Sequence, residues 1–476
     1  MRNRTKSIIL LIAVAQLGLI IGLLALPTVV QAIPGRYRVW LQENHPLMGE
    51  VAEGVIQQVA PVATALPAPQ QVSDNAIDLG SLIDAQPATT LDSAPDETEL
   101  IGVPAAEQAP PAATAEVVVE PTAAPTETAL TPTPAATNTP AATPTPLPLP
   151  ERVVLEGMGV VKQSFNNCGP ANLTQVLNWY DSPITQADVA AYLKPNPEDR
   201  NVSPWQIADY VNEQLTGFKA LARSGGDLDM IKRFLAAGFP VVIEKGYELP
   251  DSGWWGHYLT IYGYDDNLEE LYSQDSYLGP FDGSGRIDPY NEFLYYWQQF
   301  GNTFYVVYRP EQEETIKTIL GEEMYDDFKM WQKVAGIAET ETLQRPDDVF
   351  AWFNLGTALT RMGGLTGENQ YYQGGAQAFD KARELGLPPR MLWYQFQPYL
   401  AYLKLDRYQD VVTLADATLE TQGGRNVEET FWYKGHALAY LGDIAGAITA
   451  YETALTVNAN FYPAQWSLDS LRGTGG

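Results

Sequence analysis

The hydrophobic and polar positions form successive patterns along the 476-residue chain. After a basic start, an apolar run interrupted only by Gln16 extends from Ile8 to about Pro27. Residues 41–150 contain no Lys or Arg and are rich in Ala, Pro and Thr. Helical and strand patterns begin near Glu151, and beyond Arg309 only helical patterns remain. These changes divide the chain into an N-terminal segment (1–32), a linker (33–150), a mixed domain (151–310) and a helical domain (311–476).

The apolar run predicts that the folded domains lie outside the cytoplasm. A run of about 18 apolar residues can cross a bilayer, and the positive charges before it favour a cytoplasmic start. Residues 1–32 are therefore interpreted as a signal anchor, with a signal peptide cleaved near Val30-Gln31-Ala32 as the alternative. The expected location is the cell membrane, as a single-pass protein, or outside the cell if the segment is cleaved.

The linker is predicted to be disordered. Its Ala, Pro and Thr residues and scattered acids bury too little apolar surface to offset the entropy lost on ordering. Dense proline near residues 131–150 favours an extended, semi-rigid spacer. We therefore expect residues 33–150 to hold the folded domains away from the membrane.

Residues 151–310 are predicted to form an α+β domain. Helical patterns precede strand patterns, which favours helices packed on an antiparallel sheet. The predicted helices span 170–180, 185–193, 204–215 and 228–237. The predicted strands span 240–244, 257–264, 270–275 and 303–308.

Residues 311–476 carry an internal repeat. A period in the thirties with a helix pair per unit indicates a helical solenoid. Gly356 and Gly435 occupy the preceding helices, where a small residue lets paired helices approach, whereas Tyr399 stands where the second unit would carry glycine. The pattern resembles the tetratricopeptide repeat. The positions that recur every 36 residues are Gly375, Val411 and Ala447, then Phe379, Ala415 and Tyr451, then Ala382, Thr418 and Ala454.

Charge and composition exclude several function classes. The net charge of −29 is the wrong sign for binding nucleic acid, so no nucleic-acid partner is expected. One cysteine allows no internal disulfide, and three histidines without an HExxH motif offer little for zinc. We expect no cofactor and no metal. The acidic stretches 265–267 and 282–288 are interpreted as turns, with a calcium loop as the alternative.

The single cysteine, Cys168, stands just before a predicted helix with Pro170 in its first turn. A thiol at a helix N-terminus has a lowered pKa and is a better nucleophile. Such a nucleophile needs a base, and His257 opens a predicted strand in the same domain. Asp275, at the end of the next predicted strand, is the expected orienting partner for His257, with Asp265 or Asn267 as alternatives. Gln163 is the expected amide donor for an oxyanion.

The structural alternatives for these residues are ordinary ones. Cys168 can be a small buried residue, and His257 a hydrogen-bonded core histidine. Trp254 and Trp255 line a substrate cleft or simply pack in the core. His45, at the edge of the spacer, and His436, in a repeat helix, are interpreted as incidental.

The segments NCGPANLTQVLNWY, GHYLTIYGYDD and QDSYLGP resemble the cysteine helix, histidine strand and Asp-containing segment of the bacteriocin-processing, double-glycine cysteine peptidases and of peptidase family thirty-nine-like domains. The resemblance covers about residues 155–310. It implies a papain-like fold with Cys168 as nucleophile, His257 as general base, Asp275 as orienter and Gln163 as oxyanion donor. This chain departs from the family pattern in two ways: Gln163 lies five places before Cys168 rather than six, and Ser276 replaces the proline that follows the aspartate.

These observations predict an extracytoplasmic cysteine peptidase that hydrolyses a peptide or protein through a Cys-His-Asp triad. The helical repeats are expected to dock the substrate or a protein partner, and the N-terminal helix to engage the membrane. Two alternatives stay open: a catalytically silent peptide-binding scaffold, and the same chemistry directed at cell-wall peptides. No Walker A motif is present, so the chain has no recognisable ATPase half of a transporter.

Overall fold

The computed structural model describes residues 65–70, 77–85, 148–249, 253–421 and 423–473, with isolated positions at 16–22 and 87–91. Apart from those isolated positions, the predicted anchor (1–32) and most of the linker lie outside the described residues. Within the part of the chain that is described, no helix is long and apolar enough to cross a membrane.

The centre of the mixed domain is a seven-stranded sheet whose paired strands all run antiparallel. Its order is β2-β7-β3-β4-β5-β6, and β1 pairs with β4. This confirms the predicted antiparallel sheet with helices. The strands are β1 (Arg152–Val154), β2 (Lys219–Arg223), β3 (Val241–Leu249), β4 (Gly253–Asp265), β5 (Glu270–Gln274), β6 (Arg286–Pro289) and β7 (Phe304–Tyr308).

Helices cover both faces of the sheet. Val242 and Tyr258 point to one face and pack with helices α2 and α4, whereas Val241 and Ile243 point to the other and pack with Phe234 of α5. Because successive strand residues face opposite sides, both faces of the central strands are apolar. The helices of this domain are α2 (Cys168–Trp179), α3 (Gln186–Leu193), α4 (Pro204–Gln214), α5 (Leu228–Ala236) and α6 (Tyr290–Gln298), and α1 (Leu79–Ile83) precedes them in the chain.

The predicted helices and strands of this domain are present, with shifted ends. The strand predicted at 257–264 begins at Gly253, and the one predicted at 240–244 continues to Leu249. Strands β1, β2 and β6 and helix α6 were not predicted. Strands β1 and β6 are short and only partly buried, and the Tyr, Phe and Trp residues of α6 favour strands by propensity.

Beyond residue 310 the described chain is helical, as predicted, and successive helices pack side by side. Its assignment to the tetratricopeptide class stays a prediction. Short 3₁₀ segments occur at Pro310–Gln312, Pro389–Trp393 and Gly424–Asn426. The helices are α7 (Glu313–Tyr325), α8 (Asp327–Gln344), α9 (Val349–Thr366), α10 (Asn369–Glu384), α11 (Gln397–Lys404), α12 (Tyr408–Glu420), α13 (Glu428–Tyr440), α14 (Ile444–Val457) and α15 (Tyr462–Arg472).

Glycine allows two of these helix pairs to approach closely. A Cβ added at Gly356 would lie 2.6 Å from the Phe379 ring, and one added at Gly435 would lie 2.4 Å from the Tyr451 ring. Tyr399, the residue in place of glycine, instead stacks on Tyr433 with ring centroids 5.2 Å apart. At this position two stacked tyrosine rings lie between the helices, whereas at Gly356 and Gly435 the helices approach each other directly.

The helical domain packs directly on the sheet domain. Trp254 of β4 lies against Phe300, Phe350 and Tyr394, with ring centroids 5.5, 5.6 and 5.9 Å away respectively. On the other side, Val334 of α8 joins the apolar cluster of the sheet. Residue 310 thus marks a change in secondary structure rather than a break in packing.

Part of the predicted spacer departs from the expectation. Residues 65–70 and 77–85 pack on the helical domain, and Leu66, Leu82 and Ile83 are buried there. These stretches carry apolar residues that the average composition of residues 33–150 conceals, and the helical domain supplies the surface that buries them. For the rest of that range the disordered spacer stays a prediction.

We expect Gly435→Ala to lower the free energy of unfolding by about 1–3 kcal/mol, because the new methyl group would overlap the fully buried Tyr451 ring. Urea denaturation would measure the change. Gly336→Ala in helix α8 is the matched control, since nothing lies within 4 Å of its added Cβ. That control should be neutral or stabilising by up to about 1 kcal/mol. Equal effects of the two substitutions would contradict the close-packing interpretation.

Candidate active site

Cys168 is the first residue of helix α2 and is half-buried. Gly169 and Pro170 follow it, and proline in a first turn needs no hydrogen-bond partner for its nitrogen. The thiol therefore lies at the positive end of the helix dipole. This is the position predicted from the sequence, with the helix starting two residues earlier than expected.

The buried side chain of Asn172 ties helix α2 to strand β4. Its Nδ2 lies 2.9 Å from the Cys168 carbonyl oxygen, 3.1 Å from that of Tyr258, and 3.2 Å from Ser276 Oγ. Its Oδ1 accepts from Thr260 Oγ1 at 2.7 Å and from Gln175 Nε2 at 3.0 Å. This polar network fixes the start of the helix against the strand that carries His257.

His257 lies on β4 and is buried beside Asp275. His257 Nε2 and Asp275 Oδ1 are 2.9 Å apart. Asp275 follows directly after β5, which pairs with β4 through Thr260 and Gln274. The carboxylate also accepts from the backbone N–H groups of Tyr277 at 2.7 Å and Leu278 at 2.9 Å. These bonds hold the carboxylate against the imidazole.

The imidazole of His257 also shares a hydrogen bond with the Cys168 side chain. Because Nε2 faces Asp275, Nδ1 is the ring nitrogen left for the thiol. The structure therefore brings Cys168, His257 and Asp275 into one hydrogen-bonded series. Asp265 and Asn267, the alternative orienting residues, lie elsewhere: Asp265 pairs with Arg152, and Asn267 Nδ2 donates to Glu151.

Electrostatics in this series favour a charged pair. Burial raises the pKa of the Cys168 thiol, but the hydrogen bond and charge of His257 and the charge of Lys194 outweigh it, so that the pKa lies below its ordinary value of 9.0. Burial lowers the pKa of His257, but the Asp275 carboxylate and the Cys168 hydrogen bond raise it to about 9. Burial also opposes ionisation of Asp275, yet the His257 charge and the backbone N–H groups keep its pKa below the usual value. Both the lowered pKa of Cys168 and the raised pKa of His257 act in the direction of a thiolate–imidazolium pair.

Lys194 supports the loop that leads into Cys168. Its buried ammonium donates to the carbonyl oxygens of Asn166 at 2.9 Å and Asp199 at 2.8 Å. Asn166 has a left-handed backbone with φ of 54°, a conformation that asparagine tolerates better than most residues. Lys194 thus braces a tight turn and adds positive charge near the thiol.

Gln163 is held beside the site by Ser276. The Ser276 hydroxyl donates to Gln163 Oε1 at 2.9 Å, and the Gln163 backbone N–H donates to the Ser276 carbonyl oxygen at 2.8 Å. Because Oε1 accepts from Ser276, the amide nitrogen Nε2 is the group that can donate to a substrate. The serine that departs from the family pattern therefore orients the glutamine.

The helical domain forms one side of the site. The Gly256 N–H, next to His257, bonds to the Tyr394 hydroxyl, and Arg390 lies 4.0 Å above the Trp255 ring. A cavity of about 560 Å³ between the two domains is lined by Tyr394 and by Glu244 of β3, but Cys168 and His257 do not line it. Burial and the nearby Cys168 charge raise the pKa of Glu244. Trp254 and Trp255 both contact the helical domain, so core packing describes them better than a free cleft wall.

The remaining sequence candidates lie away from this site. His45 is outside the described residues, and His436 packs in helix α13 against Trp432. Asp282 accepts hydrogen bonds from Ser284 within its own turn. Among the described residues no group of His, Cys, Asp or Glu is arranged to hold a metal ion.

Sequence reasoning missed Asn172, Lys194 and Glu244, and treated Ser276 only as a departure. Asn172 offered a signal, because a polar residue one turn after Cys168 on a buried helix needs partners. Lys194 offered little, since a lysine at a helix end is normally exposed. The contribution of Tyr394 could not be found from sequence, because it depends on how the helical domain packs.

Residues 156–305 match the Peptidase_C39 like family. The match covers less than half of the chain and lies within the mixed domain, which is therefore similar to this family of peptidases. Among solved structures, a candidate C39-like peptidase from Bacillus anthracis is similar at 18% identity, over 34% of this chain and 98% of that chain, with a TM-score of 0.28. No curated protein matches the chain.

Alkylation of Cys168 by iodoacetamide should report the lowered thiol pKa. Near pH 6, the folded protein should react at least about tenfold faster than His257→Gln, because each pKa unit changes the thiolate fraction tenfold. The sign follows from the lost hydrogen bond and positive charge, which moves the titration upward. Protein unfolded in guanidinium supplies the reference for an ordinary thiol. Identical pH profiles for folded and unfolded protein would disprove the thiolate–imidazolium pair.

Proposed function

We propose that this protein is an extracytoplasmic cysteine peptidase that hydrolyses a peptide or protein. The observation that supports the proposal is the hydrogen-bonded series of Cys168, His257 and Asp275 at the start of helix α2. The match of residues 156–305 to a peptidase family supports it independently. The proposed location rests on the apolar run at residues 8–27.

In the proposed reaction the Cys168 thiolate attacks the carbonyl carbon of the scissile peptide bond. His257, as imidazolium, gives its proton to the leaving amine while the C–N bond breaks, which leaves a thioester between Cys168 and the substrate. A water molecule then loses a proton to His257 and attacks the thioester carbon. The thiolate leaves and the imidazolium is restored, so the cycle consumes only water.

Asp275 and Gln163 have supporting roles in this proposal. Asp275 holds the imidazole with Nδ1 toward the sulfur and stabilises its positive charge. Gln163 Nε2 would donate to the oxyanion that develops on the substrate carbonyl, together with the Cys168 backbone N–H. Ser276 is a positioning residue, because it acts through the Gln163 amide.

The helical domain is proposed to take part in substrate docking. Its Tyr394 hydroxyl bonds to the backbone beside His257. The interdomain cavity is lined by Glu244, whose pKa is raised by burial and by the Cys168 charge. Residues of the helical domain therefore lie beside the strand that carries His257, which supports a part in docking. Double-glycine specificity is not proposed, since no cleft residue identifies the residues that flank the scissile bond.

Incubation of the full chain with a peptide library and with peptidoglycan, followed by mass spectrometry, tests the activity. We expect peptide cleavage that Cys168→Ala and His257→Ala each reduce by at least about a thousandfold. Hydrolysis of peptidoglycan alone would indicate a cell-wall amidase. Absence of any hydrolysis, from protein whose Cys168 still reacts as a thiolate, would favour the silent scaffold.

Gln163→Ala should lower kcat by about 10²–10³-fold with little change in KM, because it removes a donor that acts in the transition state.

Ser276→Ala should lower kcat by about tenfold, because it removes the one hydrogen bond that orients the Gln163 amide. Neither change should slow alkylation of Cys168, whose thiolate depends on His257 and Lys194. A parallel fall in alkylation would show that the substitutions disturb the whole site. Unchanged kcat in Gln163→Ala would remove Gln163 from the oxyanion site.

A further inference from the structure

Two stretches of the predicted linker follow helix α10 from its C-terminal end toward its N-terminal end. We call residues 65–70 and 77–85 the strap. Leu66 N–H donates to the Leu387 carbonyl oxygen just beyond the helix, and Ile77 N–H donates to Gln377 Oε1 in its second half. Leu82 then packs against Gly374. The strap therefore runs antiparallel to α10 along one side of the helical domain.

Residues 65–70 are held mainly through their backbone. The Arg383 guanidinium donates from Nε to the Pro67 carbonyl oxygen at 2.9 Å and from Nη2 to that of Ala68 at 3.0 Å. The Gln70 N–H donates to Asp410 Oδ1 at 3.1 Å. Such contacts recognise an extended backbone with little regard for most side chains.

Leu66 supplies the apolar anchor of this stretch. It is 4% exposed and belongs to the apolar cluster of the helical domain, whereas the side chains of Ala68 and Gln70 are exposed. The prolines at 67 and 69 occupy the positions whose nitrogen has no part in the contact, since the N–H donors used are those of Leu66 and Gln70. Proline there restricts the free peptide and lowers the entropy lost on binding.

The charged side chains that contact the strap are held in place by bonds to one another. Arg383 Nη1 donates to Asp410 Oδ1 at 3.0 Å, and Asp410 also pairs with Arg407 at 2.9 Å. This fixes the guanidinium with two further N–H groups directed at the strap. A planar fork held in this way suits two successive carbonyl oxygens.

We propose that the face of the helical domain formed by Arg383, Leu387, Asp410 and Thr413 is a binding site for extended proline-containing peptides of the form Leu-Pro-x-Pro. Residues 65–70 are its resident ligand, bound in cis. The site is separate from Cys168 and does not depend on the proposed peptidase activity. Its partner class is a peptide that presents a leucine followed by carbonyl oxygens in an extended chain.

The test uses the full chain and a fluorescein-labelled hexapeptide with the sequence of residues 65–70. In the wild type, the tethered segment competes at an effective concentration of about millimolar, so added peptide should bind weakly. Leu66→Asp should release the resident segment and strengthen peptide binding at least about tenfold by fluorescence anisotropy. A peptide with serine in place of leucine is the matched control and should not bind.

Hydrogen exchange supplies the second measurement. In the wild type the amides of Leu66 and Gln70 should exchange slowly, and in Leu66→Asp the amide of Gln70 should lose this protection. Thr413→Val, which removes the hydroxyl that accepts from Gln70 Nε2 without touching the buried Arg383–Asp410 pair, should weaken binding to the released protein several-fold.

Equal binding of the leucine and serine peptides to the Leu66→Asp protein would overturn the proposal, as would no binding to that protein. Unprotected hydrogen exchange of the amides of residues 65–70 in the wild type would contradict the claim that this segment occupies the site in cis. Protection that disappears on dilution would show that the segment occupies a second copy of the chain instead, which also overturns cis occupancy.

Discussion

The fixed geometry between helix α2 and strand β4 is the constraint on which the candidate site depends. Asn172 establishes it with one side chain that reaches the Cys168 carbonyl, the Tyr258 carbonyl and Ser276. The bonds to Tyr258 and Ser276 are buried, and a buried polar group left without a partner costs about 1–3 kcal/mol. Alternative placements of the helix start are therefore disfavoured. The thiol and the imidazole, far apart in the sequence, are held in contact by groups that take no part in the chemistry.

Contacts with the helical domain also hold strand β4 in place. Trp254 stands three residues before His257 on β4 and is covered by Phe300, Phe350 and Tyr394. Arg390 donates to the Trp254 carbonyl oxygen at 3.3 Å, and Arg200 donates to Gly423 from the loop near Cys168. The strand that carries His257 and the loop that contains Arg200 are thus both held by residues from beyond residue 310. The two domains should unfold together, because neither apolar cluster is complete without the other.

The sequence was informative where local patterns carry the information. Cys168 before Pro170 indicated a helix start, and the strand pattern of residues 257–264 indicated the histidine strand, because these signals come from neighbouring residues. The partly buried β6 strand had no such signal. The hydrogen bond between Ser276 and Gln163 depends on a contact across 113 positions, and Tyr394 is brought to Gly256 only by tertiary packing. Long-range contacts of this kind are not encoded in periodicity or composition.

Average composition misled in the linker for a related reason. Low overall hydrophobicity describes residues 33–150 well, yet Leu66, Leu82 and Ile83 are individually apolar and find matching surface on the helical domain. Whether a segment orders depends on such anchor residues and on the partner surface, whereas a mean over a hundred positions registers neither.

The packing of linker residues on the helical domain also limits how far the long Pro-rich stretch can separate the folded body from a membrane. Leu91 N–H donates to the Leu365 carbonyl oxygen, and the described chain resumes at Pro148 on the sheet domain, so residues 92–147 begin and end on the same folded body. Because the described residues on either side of that stretch lie on one body, the stretch adds nothing to the distance between the body and a membrane. Only residues 33–64 remain for that purpose, and a chain of this length spans at most about 110 Å when fully extended. The distance of the folded body from the proposed N-terminal anchor would thus be set by the shorter tether.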